Sequence, residues 1–475
     1  MGYHPGTEDD GVYLTAVKSD LNPTLYPRDA DFFRVQLQAT LFDQWIARFV
    51  RVTHIPLAAT ELFIQFASIF AMLAGCWGIA RSLFDDECVQ WAGVALTAVM
   101  LTLPVSGTAL YLADQHLHPR NMASALVLLA VSRILRDKLW QAVPLLLISF
   151  VLHPIMALLG ISFCFFLTMA MLEPVHAWLR SLRDALASAA PLGWIFESPT
   201  ASWRRALETR SYYFLYSWTW YEWLGAIGPL VLFWTLWRVA LKRREAKLAR
   251  FALAIFAYGI VHQVASMIVT ESPALVRLTP MQPMRFLHLI YIFMVLIGGC
   301  LIGKYFLKAS ALRWAAVFGI TSFGMFASQR ALFAATPHFE FPGTCTANPW
   351  LESFAWIRNN TPVNAYFALD PSYLAVPGED YHSFRALAER SQLADMVKDP
   401  AVVTQVPELG ADWEKQIDAQ EGWRHFKLAD FERLRSEFGV NWVLVSYPQP
   451  AGLDCKWHNA TLSVCQIPSA QLASK

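Results

Sequence analysis

The chain has 475 residues, 55% hydrophobic and 16% charged, with 38 Lys and Arg against 37 Asp and Glu for a net charge of +1. A soluble protein carries about a quarter charged residues, so much of this chain belongs in lipid. The near-zero net charge gives no reason to invoke nucleic acid or a basic membrane-surface patch. Nineteen Trp and 15 Tyr suit the membrane–water interface.

The first stretch, GYHPGTEDDGVYL, sets Glu8, Asp9 and Asp10 side by side. Adjacent carboxylates next to a bilayer are costly to keep charged, which makes them candidates for a general base or a cation site. The competing reading is a solvated acidic turn at a helix start, where acidic residues favour the N-terminal dipole. Phe33, Leu37, Leu41, Trp45 and Phe49 recur every four residues, with Phe42, Ile46 and Val50 alongside. That spacing predicts an amphipathic helix lying on the membrane surface. Residues 1–56 form the first region, an external loop.

Residues 57–335 form a polytopic transmembrane helix bundle of about eight spans, at 57–80, 89–112, 122–139, 140–172, 221–241, 251–270, 286–307 and 312–333. The 140–172 run is too long for one straight span and breaks at His153-Pro154, so it is a kinked helix or a half-helix followed by a full one. Basic residues crowd three short loops: Arg133, Arg136 and Lys138; Lys242 to Arg250; and Lys304, Lys308 and Arg313. Such loops stay cytoplasmic. All three agree if 140–172 crosses once, which puts the acidic segment, the loops at 108–121, 173–220 and 271–285, and the tail outside. Arg180, Arg183, Arg204, Arg205 and Arg210 in the outer 173–220 segment run against this assignment. An outward N-terminal segment also leads to the expectation that a first transmembrane helix is missing.

Beyond 336 the composition becomes that of a soluble α/β domain, 336–475. AYFAL before Asp370 and NWVLVSYP near Asn441 read as buried strands, and 384–396 and 428–438 as helices. Cys455 and Cys465 flank a predicted hairpin, which allows a disulfide if the tail faces an oxidising compartment.

Two loops carry chemistry-bearing residues. LADQHLHPRN places Asp114, His116, His118 and Arg120 within seven residues between spans. The two His can share a metal only in an extended loop, and no third ligand is evident. ESPALVRLTPMQPMRFLH places Arg285 at the mouth of the next helix, where its guanidinium can grip a phosphate or reach lipid headgroups. The aromatic run SYYFLYSWTWYEW reads as an interfacial anchor or a stacking surface for a sugar or an isoprenoid. There is no Walker lysine loop, GxSxG, HExxH or dinucleotide glycine pattern.

The plan of acidic external loop, surface helix, many spans and soluble outer domain resembles the GT-C superfamily of polytopic glycosyltransferases. GYHPGTEDDGVYL, LNPTLYP, LADQHLHPRN, LHPIMAL and QPMRFLHLIY look like an uncharacterised bacterial branch of it. The resemblance implies an integral protein of the bacterial inner membrane that takes a sugar from a polyprenyl-phosphate carrier, with its C-terminal domain extracytoplasmic. It implies Asp9 or Asp10 as the acid/base, with Glu8 as neighbour. Asp114 fits the position of a second acidic residue that assists or binds a metal, and Arg285 that of the lipid-phosphate clamp, with Arg120, His116 and His118 beside the substrate. A divalent cation is the one cofactor this chemistry invites. A transporter or lipid flippase is the alternative, which predicts internal repeats and charges near the bilayer midplane. A non-catalytic partner in an envelope assembly is the third reading.

Overall fold

The computed structural model describes residues 1–171, 199–344 and 347–468, without the side chains of residues 35–37. Arg180 and Arg183, named above, and the end of the 140–172 run at 172 lie outside these residues. The chain divides into two compact units. One comprises Met1, Phe63–Pro199 and Ser211–Ser328; the other comprises Gly2–Leu62, Thr200–Arg210 and Gln329–Lys475.

In chain order the helices are α1 Asp10–Leu21, α2 Asp31–Leu37, α3 Phe42–Thr53, α4 Leu57–Leu83, α5 Glu87–Val99, α6 Pro119–Ile134, α7 Leu139–Leu152, α8 Pro154–Met171 and α9 Ala201–Glu208. They continue with α10 Trp220–Lys242, α11 Ala246–Glu271, α12 Leu287–Ile302, α13 Ala311–Leu332, α14 Pro349–Asn360, α15 Phe384–Ala388, α16 Asp399–Gln405, α17 Gly410–Ala419 and α18 Leu428–Phe438. The strands are β1 Pro104–Val105, β2 Leu110–Tyr111, β3 Tyr366–Ala368, β4 Ser391–Gln392, β5 Trp442–Ser446, β6 Asp454–His458 and β7 Leu462–Gln466. The fold is mainly α, a helix bundle with a small C-terminal α/β domain.

Among the described residues five helices are long and apolar enough to cross a membrane: Leu57–Leu83, Pro154–Met171, Trp220–Lys242, Ala246–Glu271 and Pro283–Leu307. They identify an integral membrane protein. Large apolar side chains such as Phe63, Phe70 and Trp220 stay exposed on them, as a lipid-facing surface requires. The α12 helix is the exception, apolar on every face and buried at most positions, so it forms the bundle's centre. It meets α5 closely because both helices present glycine there. A Cβ on Gly93 would stand 2.4 Å from Cys300 Sγ, and one on Gly299 would stand 2.7 Å from the Ala92 carbonyl.

The expected 89–112 span is shorter than its apolar composition implies. The α5 helix ends at Val99 and the chain turns into the antiparallel β1–β2 hairpin. Pro104 cannot donate a helical hydrogen bond, and Gly107 supplies a turn with φ +63°. The 140–172 run is two helices, α7 and α8, parted at His153-Pro154.

In the second unit a five-stranded sheet has the order β4-β3-β5-β7-β6, with β3 parallel to β4 and β5, and β5, β7 and β6 antiparallel. Alternation along the strands builds two cores. Phe367, Trp442 and Leu444 pack with Phe354 and Ile357 of α14. Tyr366, Val443 and Val445 pack with Phe431 and Leu434 of α18. Cys455 and Cys465 are joined across the β6–β7 hairpin. The expected helix over 384–396 stops at Ala388, because Glu389 adopts a left-handed φ of 54° and the chain enters β4.

The N-terminal segment belongs to this unit. Buried Arg385 donates to Asp29 Oδ2 at 2.6 Å and bidentately to Asp399 at 2.7 and 3.0 Å. The predicted surface helix is broken by a turn after Leu37, and α3 alone carries the amphipathic pattern. Its Phe42, Ile46 and Ala47 are buried, while Trp45, Phe49 and Val52 are exposed.

Candidate functional site

The predicted site residues fall into two groups, one in each unit. In the second unit, residues 3–11 run between two stretches of the tail. Tyr3 N donates to the His338 carbonyl at 3.1 Å, and Glu340 N to the Tyr3 carbonyl at 2.9 Å. Glu8 N donates to the Tyr381 carbonyl at 3.0 Å, and Ser383 N to the Gly6 carbonyl at 2.8 Å. Gly6 has φ +77° and sits against Leu387, where an added Cβ would come within 2.8 Å. Only glycine fits that turn without strain.

This path separates the three carboxylates. Asp10 turns inward, buried, and accepts from Gly6 N at 2.6 Å. Glu8 and Asp9 face outward, with side chains 40% and 42% exposed, and both meet the ammonium of Lys398. Asp9 Oδ1 lies 3.2 Å from Lys398 Nζ. Burial works against the Lys398 charge, but Glu8 and Asp9 outweigh it and hold the ammonium well above the usual lysine range. Lys398 is separated from Glu8 by 390 residues and stands at the N-cap of α16. No local pattern pointed to it. Glu61, near the start of α4, is another buried carboxyl that sequence reasoning missed; it lies within charge range of Asp10.

In the first unit the loop after the β1–β2 hairpin is braced from within. Arg120 Nε and Nη2 donate to Asp114 Oδ2 and Oδ1 at 3.0 and 2.6 Å. Both side chains are buried. Burial alone would raise the Asp114 carboxyl, but the Arg120 guanidinium, with His118, holds it far below the usual carboxylate range. His118 caps α6, its Nδ1 accepting from Arg120 N at 2.9 Å, and Pro119 follows at the first helical position. Asn121 Oδ1 accepts from Asp114 N at 3.0 Å, and Gln65 Nε2 donates to the Asp114 carbonyl at 2.7 Å.

Around this brace the structure gathers imidazoles and a second guanidinium. His118 lies 5.8 Å from His116 and 6.1 Å from His153, between ring centroids. His288 Nε2 donates to the Leu112 carbonyl at 3.1 Å. Arg285 donates to Gln282 Oε1 at 2.8 Å and lies within charge range of His153 and His288. Asp114, Arg120, His118 and Arg285 therefore share one neighbourhood, to which His153 and His288 are additions. Two guanidiniums against one carboxylate leave this neighbourhood positive, which suits an anion. His116 is buried and its Nε2 has no hydrogen-bond partner. Among the described residues no group of three or more His, Cys, Asp and Glu side chains is placed to hold a metal ion. The donor set among these residues does not fit a divalent cation.

No family model matches the chain, and no curated protein matches it. Among solved structures it is similar to the oligosaccharyltransferase of Archaeoglobus fulgidus in the apo form, with TM-score 0.46 and 11% identity over 94% of this chain. The archaeal oligosaccharyltransferase AglB from Archaeoglobus fulgidus, in complex with an inhibitory peptide and a dolichol-phosphate, matches with TM-score 0.46 and 11% identity over 93% of this chain. The chain spans 66% of the length of each.

Proposed function

We propose that the protein is a GT-C-type membrane glycosyltransferase that moves a sugar from a polyprenyl-phosphate carrier to an extracytoplasmic acceptor. The observation that carries this reading is the Glu8–Asp9 pair: two adjacent carboxylates, part exposed, on a segment fixed by four backbone hydrogen bonds. Glycosyl transfer needs a base for the acceptor's proton, and Asp9 is the residue assigned to it, with Glu8 beside it. Asp10, buried and bonded to Gly6 N, supports the turn. The departing phosphate needs positive charge in a preorganised site. Arg285 is assigned that role, with His116 and His118 as candidate substrate-binding residues and Asp114–Arg120 bracing the loop.

The layout proposed for the chain is an external loop over 1–56, a bundle over 57–335 and an extracytoplasmic domain over 336–475, in a bacterial inner membrane. The Cys455–Cys465 bridge supports an oxidising compartment for the tail. Exposed Trp45, Phe49 and Val52 on α3, with Arg48 and Arg51 exposed beside them, support a helix resting on headgroups.

The test is Asp9→Asn in proteoliposomes supplied with a mixture of polyprenyl-phosphate-linked monosaccharides and scored for release of the lipid phosphate. A loss of about 100-fold or more at unchanged thermal stability is expected of a missing general base. Full transfer by the variant would remove Asp9 from the mechanism.

A further inference from the structure

The segment that bears Glu8, Asp9 and Asp10 carries a second ionisable cluster, four residues upstream of Glu8 and not used by the chemistry above. His4 and His382 are fully buried, and Glu340 nearly so. His4 Nδ1 lies 2.6 Å from Glu340 Oε1, and His382 Nε2 lies 3.2 and 3.1 Å from Glu340 Oε1 and Oε2. The other nitrogen of His382, Nδ1, lies 2.9 Å from the Glu379 carbonyl oxygen. A carbonyl only accepts, and an ionised carboxylate only accepts. His382 thus spans from the Glu379 carbonyl to the Glu340 carboxylate. His4 donates from Nδ1 alone, its Nε2 being buried without a partner and its ring stacked 3.9 Å from Phe333.

Burial pushes the Glu340 carboxyl up, but the hydrogen bonds from His382 and His4 prevail and draw it down to about 2. The other charged groups near the cluster are accounted for. Asp380 accepts from Ala335 N at 2.8 Å and Thr336 Oγ1 at 3.0 Å. Glu379 is fully buried, and burial keeps its carboxyl well above the ordinary carboxylate range. Glu8, within charge range of Glu379, is held by Lys398. The cluster stands between the two backbone stitches, 338–340 on one side and 381–383 on the other.

We infer that His382, Glu340 and His4 form a hydrogen-bonded clasp that positions the Glu8–Asp10 carboxylates by locking their segment onto the tail. What those carboxylates do rests on the transferase reading; the clasp itself does not. Glu340 and His382 are positioning residues, acting through the backbone of residues 3–11. The sign of the pH dependence follows from Glu340. Its carboxyl is depressed, so the clasp is fully present above the ordinary glutamate value of 4.5 and is lost as pH falls toward about 2.

The test is hydrogen exchange read by mass spectrometry on the full chain in detergent, corrected for the intrinsic pH dependence of exchange. In the unsubstituted protein, protection of peptides covering residues 2–11 should fail between pH 4.5 and about 2, before that of β5. At neutral pH, Glu340→Gln should speed exchange over 2–11 by about tenfold with β5 unchanged, while Glu340→Asp, which keeps the charge, restores most of the protection. Exchange over 2–11 that is indifferent to both pH and Glu340→Gln would overturn the clasp, as would loosening of the whole tail together. The two readings separate cleanly. Faster exchange in Glu340→Gln with undiminished transfer upholds the clasp and sinks the carboxylates as reacting groups. Loss of transfer in Asp9→Asn with unchanged exchange in Glu340→Gln does the reverse.

Discussion

The two acidic groups of this protein solve the same electrostatic problem in opposite ways. Asp114 is buried with its counter-ion, gripped by both arms of Arg120, and is neutralised in place. Glu8 and Asp9 leave their carboxylates about two-fifths exposed and share one largely buried lysine. A carboxylate locked bidentately in the interior has little freedom to take a proton from a substrate, because doing so would strand a buried guanidinium. A part-exposed carboxylate held from behind by an ammonium keeps one side open to a ligand. The same residue type thus serves as a brace in one unit and as the candidate reacting group in the other.

The largest effect that tests this contrast is expected from Arg120→Met. Leaving Asp114 buried without its partner costs about 3–5 kcal/mol, read as thermal unfolding in detergent. Adding Asp114→Leu should recover much of that loss. An unaltered melting temperature in the single variant would break the brace reading. Lys398→Met should cost less, about 1–2 kcal/mol, because Glu8 and Asp9 can turn to water. Removing both carboxylates with Glu8→Gln and Asp9→Asn should cost more than the two single changes summed, since a largely buried ammonium is then unpaired. Additive singles would show that Lys398 does not depend on the pair. The smallest effect is in mild acid. The depressed Asp114 carboxyl contributes stability above its ordinary value of 3.8 and loses it only well below, so exchange of the 112–121 loop should stay flat from pH 7 to about 4. Loosening within that interval would mean the Arg120 pairing is weaker than its geometry implies.

Much of the architecture was legible beforehand. Apolar runs of 18 residues or more marked the five long helices, since only a helix satisfies its own backbone in lipid. Short continuous apolar runs in AYFAL and NWVLVSYP marked β3 and β5 as buried strands, and Cys455 and Cys465 flanked a predicted hairpin that allowed their bridge. The candidate site was legible only as residue types. The loop LADQHLHPRN was recognised as charged, but nothing in it said that Asp114 and Arg120 would cancel each other.

Composition and periodicity by themselves determined which segments are apolar enough to enter lipid, which form a small sheet, and where ionisable residues gather, because those properties depend on neighbours a few residues apart. Tertiary structure alone decided that Asp10 turns inward while Glu8 and Asp9 turn out, that Lys398 meets them across 390 residues, and that His4 finds Glu340 336 residues away. Pairings at such separations depend on how whole elements pack, and local sequence carries no record of the partner.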